Sequence, residues 1–161
     1  MKKTVYIETT IPSYYYEERR EFEFQKNITR EWWDNEKDNF LLYISEIVIA
    51  ELEFGEYPNK DFIIELIYNL PRLEVIPEIK DIVEIYLKNY LMPKRNIRDA
   101  FHLAIASYYK IEYLLTWNCE HLANVNKQEH IRIINNRIGL STPYIITPLQ
   151  MFPIKEEKED V

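Results

Sequence analysis

Residues 40–55 read FLLYISEIVIAELEFG. Phe40 to Ile44 form a short apolar run bounded by Ser45, the length of a buried strand rather than of a helix. Ser45 then stands in front of a helical pattern, EIVIAELEF, and Gly55 closes it. A serine can cap the free amides of a first helical turn, and glycine tolerates the positive φ at which many helices stop. The stretch therefore predicts a strand over 40–45 feeding directly into a helix capped by Ser45. A buried strand followed at once by a helix is half of a crossover, and crossovers are what parallel strands require.

The same alternation extends in both directions. Upstream, residues 3–8 read as a strand, Pro12 opens a short helix through SYYYEE, and Asn27 is placed to cap a helix through TREWWDNEKD. Downstream, Asn59 is placed to cap DFIIELIYNL, which Pro71 closes, and LEVI at 73–76 is a short strand. Residues 77–92 carry a helical stripe of Ile79, Ile82, Val83, Ile85, Tyr86 and Leu87, a face that suits either a core or a homodimer seam. Asn96 precedes the helix IRDAFHLAIASYYK, EYLLT at 112–116 is a strand, and Asn118 caps a turn. A helix over 126–138 before Gly139 and a strand YIIT at 144–147 complete the order. Strands separated by helices predict an α/β fold with a mostly parallel sheet of about five strands, covered on both faces. One domain over 1–152 is expected, followed by a charged, solvated tail at 153–161.

Composition narrows the function. The chain has 161 residues, 47% of them hydrophobic, enough for one substantial core. Only two glycines are present, which excludes glycine-rich phosphate loops. The single cysteine, Cys119, rules out an intramolecular disulfide, and no apolar run approaches the roughly 18 residues of a membrane span. A cytoplasmic protein without membrane attachment is the expectation. The formal charge is −7, which weighs against a nucleic-acid binder, yet bases gather at Arg19 and Arg20, at Lys94, Arg95 and Arg98, and at Arg132 and Arg137.

In a parallel sheet the ligand crevice lies at the carboxyl ends of the strands. Glu8 ends the first strand, Glu51 lies on the helix after the second, Asp99 sits in the first turn after Asn96, and Asn118 follows the fourth strand. Carboxylates gathered there repel unless something neutralises them, and no basic residue adjoins Glu8 in YIETT or Glu51 in IAELEF. A hard divalent cation, Mg²⁺ or Mn²⁺, would do so through oxygen ligands, and it can orient a phosphate and activate water. Glu8, Glu51 and Asp99 are thus candidate metal ligands, with Thr9 and Thr10 as donors behind Glu8. Each also has an ordinary reading: a solvated loop acid for Glu8, an outward helix residue for Glu51, a helix N-terminal charge for Asp99, an N-cap for Asn118. His121 is near enough to Asn118 in sequence to meet a substrate, and Arg95 and Arg98 are candidate phosphate contacts. The aromatic runs Tyr14–Tyr16 and Trp32–Trp33 suit base stacking or, more simply, core packing.

At these residues the chain resembles PIN-domain proteins. VYIETTIPS is similar to their opening Asp-Thr strand motif, SEIVIAEL to their Ser-to-Glu helix, RDAFHLAIA to their Asp-Ala helix, and LLTWN to the strand and turn that follow. The resemblance implies a three-layer α/β/α sandwich and a Mg²⁺- or Mn²⁺-dependent endoribonuclease, often the VapC-type toxin of a toxin–antitoxin pair, with an antitoxin protein as partner. By position it implies Glu8, Glu51 and Asp99 as metal-site acids, Asn118 as a fourth member of the catalytic set, and Ser45 and Thr116 as supporting polar residues. Two departures stand out. Glu8 replaces the usual aspartate, and Asn118 replaces an acid, which removes a charge and implies weaker metal binding. A non-catalytic PIN-like binding module is the alternative that those departures raise.

Overall fold

The computed structural model describes residues 1–154, so most of the expected tail at 153–161 lies outside the described residues. Among the described residues five strands form one sheet: β1 (Lys3–Ile7), β2 (Phe40–Ser45), β3 (Arg72–Leu73), β4 (Tyr113–Leu115) and β5 (Tyr144–Ile146). The helices are α1 (Thr10–Tyr15), α2 (Glu23–Asn35), α3 (Glu46–Glu53), α4 (Lys60–Ile67), α5 (Pro77–Lys88), α6 (Ile97–Tyr108) and α7 (Val125–Arg137). The strand order is β3-β2-β1-β4-β5, and every pairing is parallel, so the expected mostly parallel sheet is wholly parallel. Val5 lies opposite both Leu42 and Tyr113, which puts β1 at the centre. The fold is the α/β architecture of a parallel sheet flanked by helices.

The chain leaves β1 toward β2 on one side and leaves β4 toward β5 on the other, so β1 and β4 flank the point where the winding reverses. That is where a crevice opens in such sheets, because the helices depart in opposite directions. β1 can sit at the centre because Val5, Tyr6 and Ile7 are all fully buried. Their continuous apolar character is the mark of a strand covered on both faces. Ile44, Leu114, Leu115, Leu103, Ile105 and Trp32 complete the heart of the core.

Several local expectations change. Asn27 does not cap: α2 starts at Glu23, because the turn Arg20–Phe22 runs straight into it and Thr29 bonds back to the Gln25 carbonyl at 2.6 Å. Ser45 sits at the N-cap of α3 without capping it, since its hydroxyl is taken by Tyr6. Asn59 has φ of 63° and its amide reaches the Tyr16 carbonyl instead of the α4 amides. Asn96 makes no side-chain cap either. β3 is two residues long rather than four, and α5 ends at Lys88 rather than Met92. Ile79, Ile82, Val83 and Tyr86 of α5 are buried, and α5 packs on α6, so the expected stripe is an internal face. Trp32 and Trp33 are likewise core residues, which removes them as base-stacking platforms.

Candidate functional site

Glu8 follows the last residue of β1 and is only 3% exposed. Its backbone amide still bonds the Leu115 carbonyl at 3.1 Å, so the sheet ladder carries it to the tip beside β4. Three donors converge on one carboxylate oxygen, Oε1: the Thr10 amide at 3.1 Å, the Thr10 hydroxyl at 2.5 Å and the Thr116 hydroxyl at 2.7 Å. All are neutral, so they orient the group without cancelling its charge. Burial pushes the Glu8 carboxyl above the usual carboxylate range, and the field of His102 and these hydrogen bonds only partly restore it. Thr10 also accepts from the Trp117 amide at 2.8 Å, which ties the start of α1 to the end of β4. Thr9 does not share this work: among the described residues its buried hydroxyl has no partner.

Asp99 lies in the first turn of α6 and Glu51 in the second turn of α3. Burial raises the Asp99 carboxyl as well, against the opposing influence of His102, the Asn118 amide beside it, and His121, while Glu51 repels it further. Asn118 is positioned by a hydrogen bond from its own amide to Thr116 Oγ1 at 2.9 Å, and its side-chain oxygen accepts from the His121 amide at 3.1 Å. It therefore caps a turn and stands beside Asp99 at once.

The residue that joins these groups is His102, three positions after Asp99 on α6 and fully buried. Its Nε2 lies 2.5 Å from Glu51 Oε1, and a carboxylate only accepts, so the ring donates. Its Nδ1 lies 2.7 Å from the Tyr6 hydroxyl, which lies 2.6 Å from Ser45 Oγ. Burial alone would lower the imidazole, but the Glu51 hydrogen bond and the fields of Glu51, Glu8 and Asp99 outweigh it, and the net direction is upward. All three sequence-predicted acids thus lie within electrostatic reach of one buried ring. Sequence reading passed over His102 because no zinc-type spacing surrounds it. The available signal was a polar residue inside DAFHLAIA, whose other members are apolar apart from Asp99, since a buried imidazole must find partners.

Tyr6 and Ser45 therefore support the site through His102, and Thr116 through Glu8. Arg95 and Arg98 are exposed just before Asp99, and the Arg98 guanidinium lies 5.8 Å from the centre of the Phe54 ring. His121 is 9% exposed, with Nε2 3.6 Å from Glu120 Oε1. Among the described residues no lysine or arginine pairs with Glu8, Glu51 or Asp99. Trp117 meets Tyr14 edge-on, with ring centroids 6.1 Å apart. A groove of about 720 Å³, lined by Lys3, Phe40, Tyr113 and Tyr144, lies at the opposite rim where the strands begin. None of the acids borders it, so it is no part of this constellation.

The donor set suits a hard divalent cation in its chemistry. Glu8 and Asp99 are carboxylates held above their usual range by burial, with the hydrogen bonds to Glu8 gathered on Oε1 and an amide, Asn118, beside Asp99. It does not supply a ready-made cage. Among the described residues no three of histidine, cysteine, aspartate and glutamate are assembled as a metal cluster, and Glu51 is turned to His102 instead.

Residues 5–127 match the family model described as PIN domain. No curated protein matches the chain. Among solved structures, a chain from the crystal structure of VapBC2 from Rickettsia felis bound to a DNA fragment from their promoter superposes with a TM-score of 0.52 at 14% identity. The match covers 89% of this chain and 98% of that one.

Proposed function

The chain belongs to the PIN-domain family, and from that premise we propose that it is a Mg²⁺- or Mn²⁺-dependent endoribonuclease, the toxin of a toxin–antitoxin pair. PIN domains are generally nucleases, and their divalent-ion chemistry agrees with the acids of this site. The observation that carries the reading is the pair Glu8 and Asp99. A buried carboxylate, Glu8, and a half-buried one, Asp99, from distant parts of the chain both lie in the field of His102, and burial still holds each above the usual carboxylate range. They are the residues that would hold the cation. When bound, such an ion stabilises charge on the scissile phosphodiester and activates water for attack.

The chain's own groups do the positioning. Thr10 and Thr116 fix the Glu8 carboxylate through Oε1. Asn118, held by Thr116 and the His121 amide, stands beside Asp99 and favours its charged form. Arg95 and Arg98, exposed within a helical turn of Asp99, are suited to the backbone of an RNA on either side of the cut, and the half-exposed Trp117 and Tyr14 to an unstacked base. The VapBC2 likeness supports an antitoxin partner, and the exposed Phe54 and Phe62 offer apolar surface for one. The absence of any membrane-length apolar helix among the described residues is compatible with a cytoplasmic setting. The 1–152 span is proposed as one domain.

Incubation with single-stranded RNAs in Mn²⁺, in Mg²⁺ and in chelator tests the reading. Cleavage that needs the ion and disappears in Asp99→Asn is expected, and intact RNA under every condition would refute it. One observation favours the alternative of a non-catalytic PIN-like module, namely the 2.5 Å bond that removes Glu51 from the acid cluster. Under that alternative the folded protein retains RNA or protein binding with no ion-dependent cutting.

A further inference from the structure

His102 lies within the field of all three acids, Glu51, Glu8 and Asp99. It is fully buried on α6, and both ring nitrogens are engaged: Nε2 with Glu51 at 2.5 Å and Nδ1 with Tyr6 at 2.7 Å. Tyr6 is itself fully buried and held at its hydroxyl by Ser45 at 2.6 Å. The ring therefore cannot swing away without breaking a chain of hydrogen bonds anchored in the central strand and in β2. Glu51 differs, with a side chain 17% exposed on a helix at the rim. The anchored partner is the histidine and the adjustable one is the glutamate.

Resting on the nuclease reading above, we propose that His102 is a positioning residue that competes with the divalent cation for Glu51. Its Nε2–H holds the Glu51 carboxylate, so that Glu8 and Asp99 form the resident cation seat and Glu51 joins only by leaving the ring. The geometry explains why the three acids converge on one ring and yet form no three-ligand cluster. It also gives the Tyr6–Ser45 pair a purpose. They fix the direction of the ring and so decide how firmly Glu51 is withheld. Groups behind a metal ligand commonly change metal affinity by about 10–100-fold, and here the change has the opposite sign, since the group opposes the cation.

Mn²⁺ binding measured by calorimetry and by the electron-spin-resonance signal of the free ion tests this in wild type, His102→Ala, Tyr6→Phe and Asp99→Asn. His102→Ala is expected to bind Mn²⁺ about tenfold tighter than wild type, Tyr6→Phe to shift the same way by less, and Asp99→Asn to lose binding. A second measurement needs no variant. In protein carrying ¹⁵N-labelled histidine, the strongly downfield N–H proton of a short imidazole–carboxylate bond should be present without metal and vanish as Mg²⁺ is added. Binding that depends on Asp99, with unchanged or weaker affinity in His102→Ala and an imidazole signal indifferent to Mg²⁺, overturns the competition and leaves the nuclease reading standing. No binding to wild type but clear binding to His102→Ala upholds the competition and removes the cation-dependent reading from the wild-type chain. No binding to any of the folded proteins removes both.

Discussion

Replacing Glu8 with glutamine is expected to stabilise the metal-free protein at neutral pH, although it removes a charge from a carboxylate that accepts three hydrogen bonds. Two effects oppose. Three donors meet Glu8 Oε1, and a hydrogen bond to a charged acceptor is worth about 1.5–3 kcal/mol against about 0.5–1.5 for a neutral one, so neutralisation weakens the set by roughly 3 kcal/mol. Against this stands the cost of holding a 3%-exposed carboxylate away from water, several kcal/mol for an ion without a close counter-charge. Burial is the largest influence on the Glu8 carboxyl and its net displacement is upward, the direction expected when the second effect is the larger. A net gain of about 1–2 kcal/mol follows at pH 8, or about 3–6 °C in melting temperature for a chain of this size. The sign with pH is fixed by the same displacement. A carboxyl raised above its ordinary 4.5 adds stability below that value and loses it as pH climbs through the higher folded-state value. The difference between variant and wild type should therefore be small near pH 4 and full near pH 8. Thermal melts in chelator at both pH values check this, and adding Mn²⁺ should reverse the order, because an amide is the poorer ligand. A variant that melts below wild type at pH 8, or a gap that ignores pH, would refute the reasoning.

Other expectations follow from single contacts. Thr116→Val removes a buried hydroxyl that donates to Glu8 and accepts from the Asn118 amide; it should cost about 1–3 kcal/mol in chemical denaturation and reduce cleavage more than RNA binding. Tyr86→Phe removes the 2.6 Å bond to Asn135 Oδ1 deep between α5 and α7, and should cost a similar roughly 1–3 kcal/mol while leaving cleavage unchanged, which separates stability from chemistry. Leu103→Ala, at a fully buried position on α6, should cost about 2–5 kcal/mol by urea denaturation through the cavity it leaves. In the metal-free protein His102 is raised above its ordinary 6.5, so its contribution to stability is complete below that value and fades as pH rises through the higher one. His102→Ala should flatten that part of the melting profile.

The arrangement of strands was legible because FLLYIS and VYI are apolar without alternation, and only a sheet covered on both faces makes such strands stable. The rim was legible for the same reason: Glu8 and Asn118 stand where apolar strands stop. What stayed hidden is pairing across distance. Nothing local tells that the Ser45 hydroxyl turns to Tyr6 rather than to its own helix, or that Thr10 rather than Thr9 faces Glu8. Helix caps were over-read, since Asn27, Asn59 and Asn96 all have the right residue type, and tertiary partners or a preceding turn overruled it. The link between Glu51 and His102 spans 51 residues, and only the fold brings the two together.

The central claim is that Glu8 and Asp99 form a divalent-cation seat at the carboxyl rim of the sheet. A crystal soaked in Mn²⁺ and measured for anomalous scattering tests it most directly. The account predicts a peak touching carboxylate oxygens of Glu8 and Asp99, beside Asn118. A crystal that stays empty there at saturating Mn²⁺, with both side chains ordered, would contradict it.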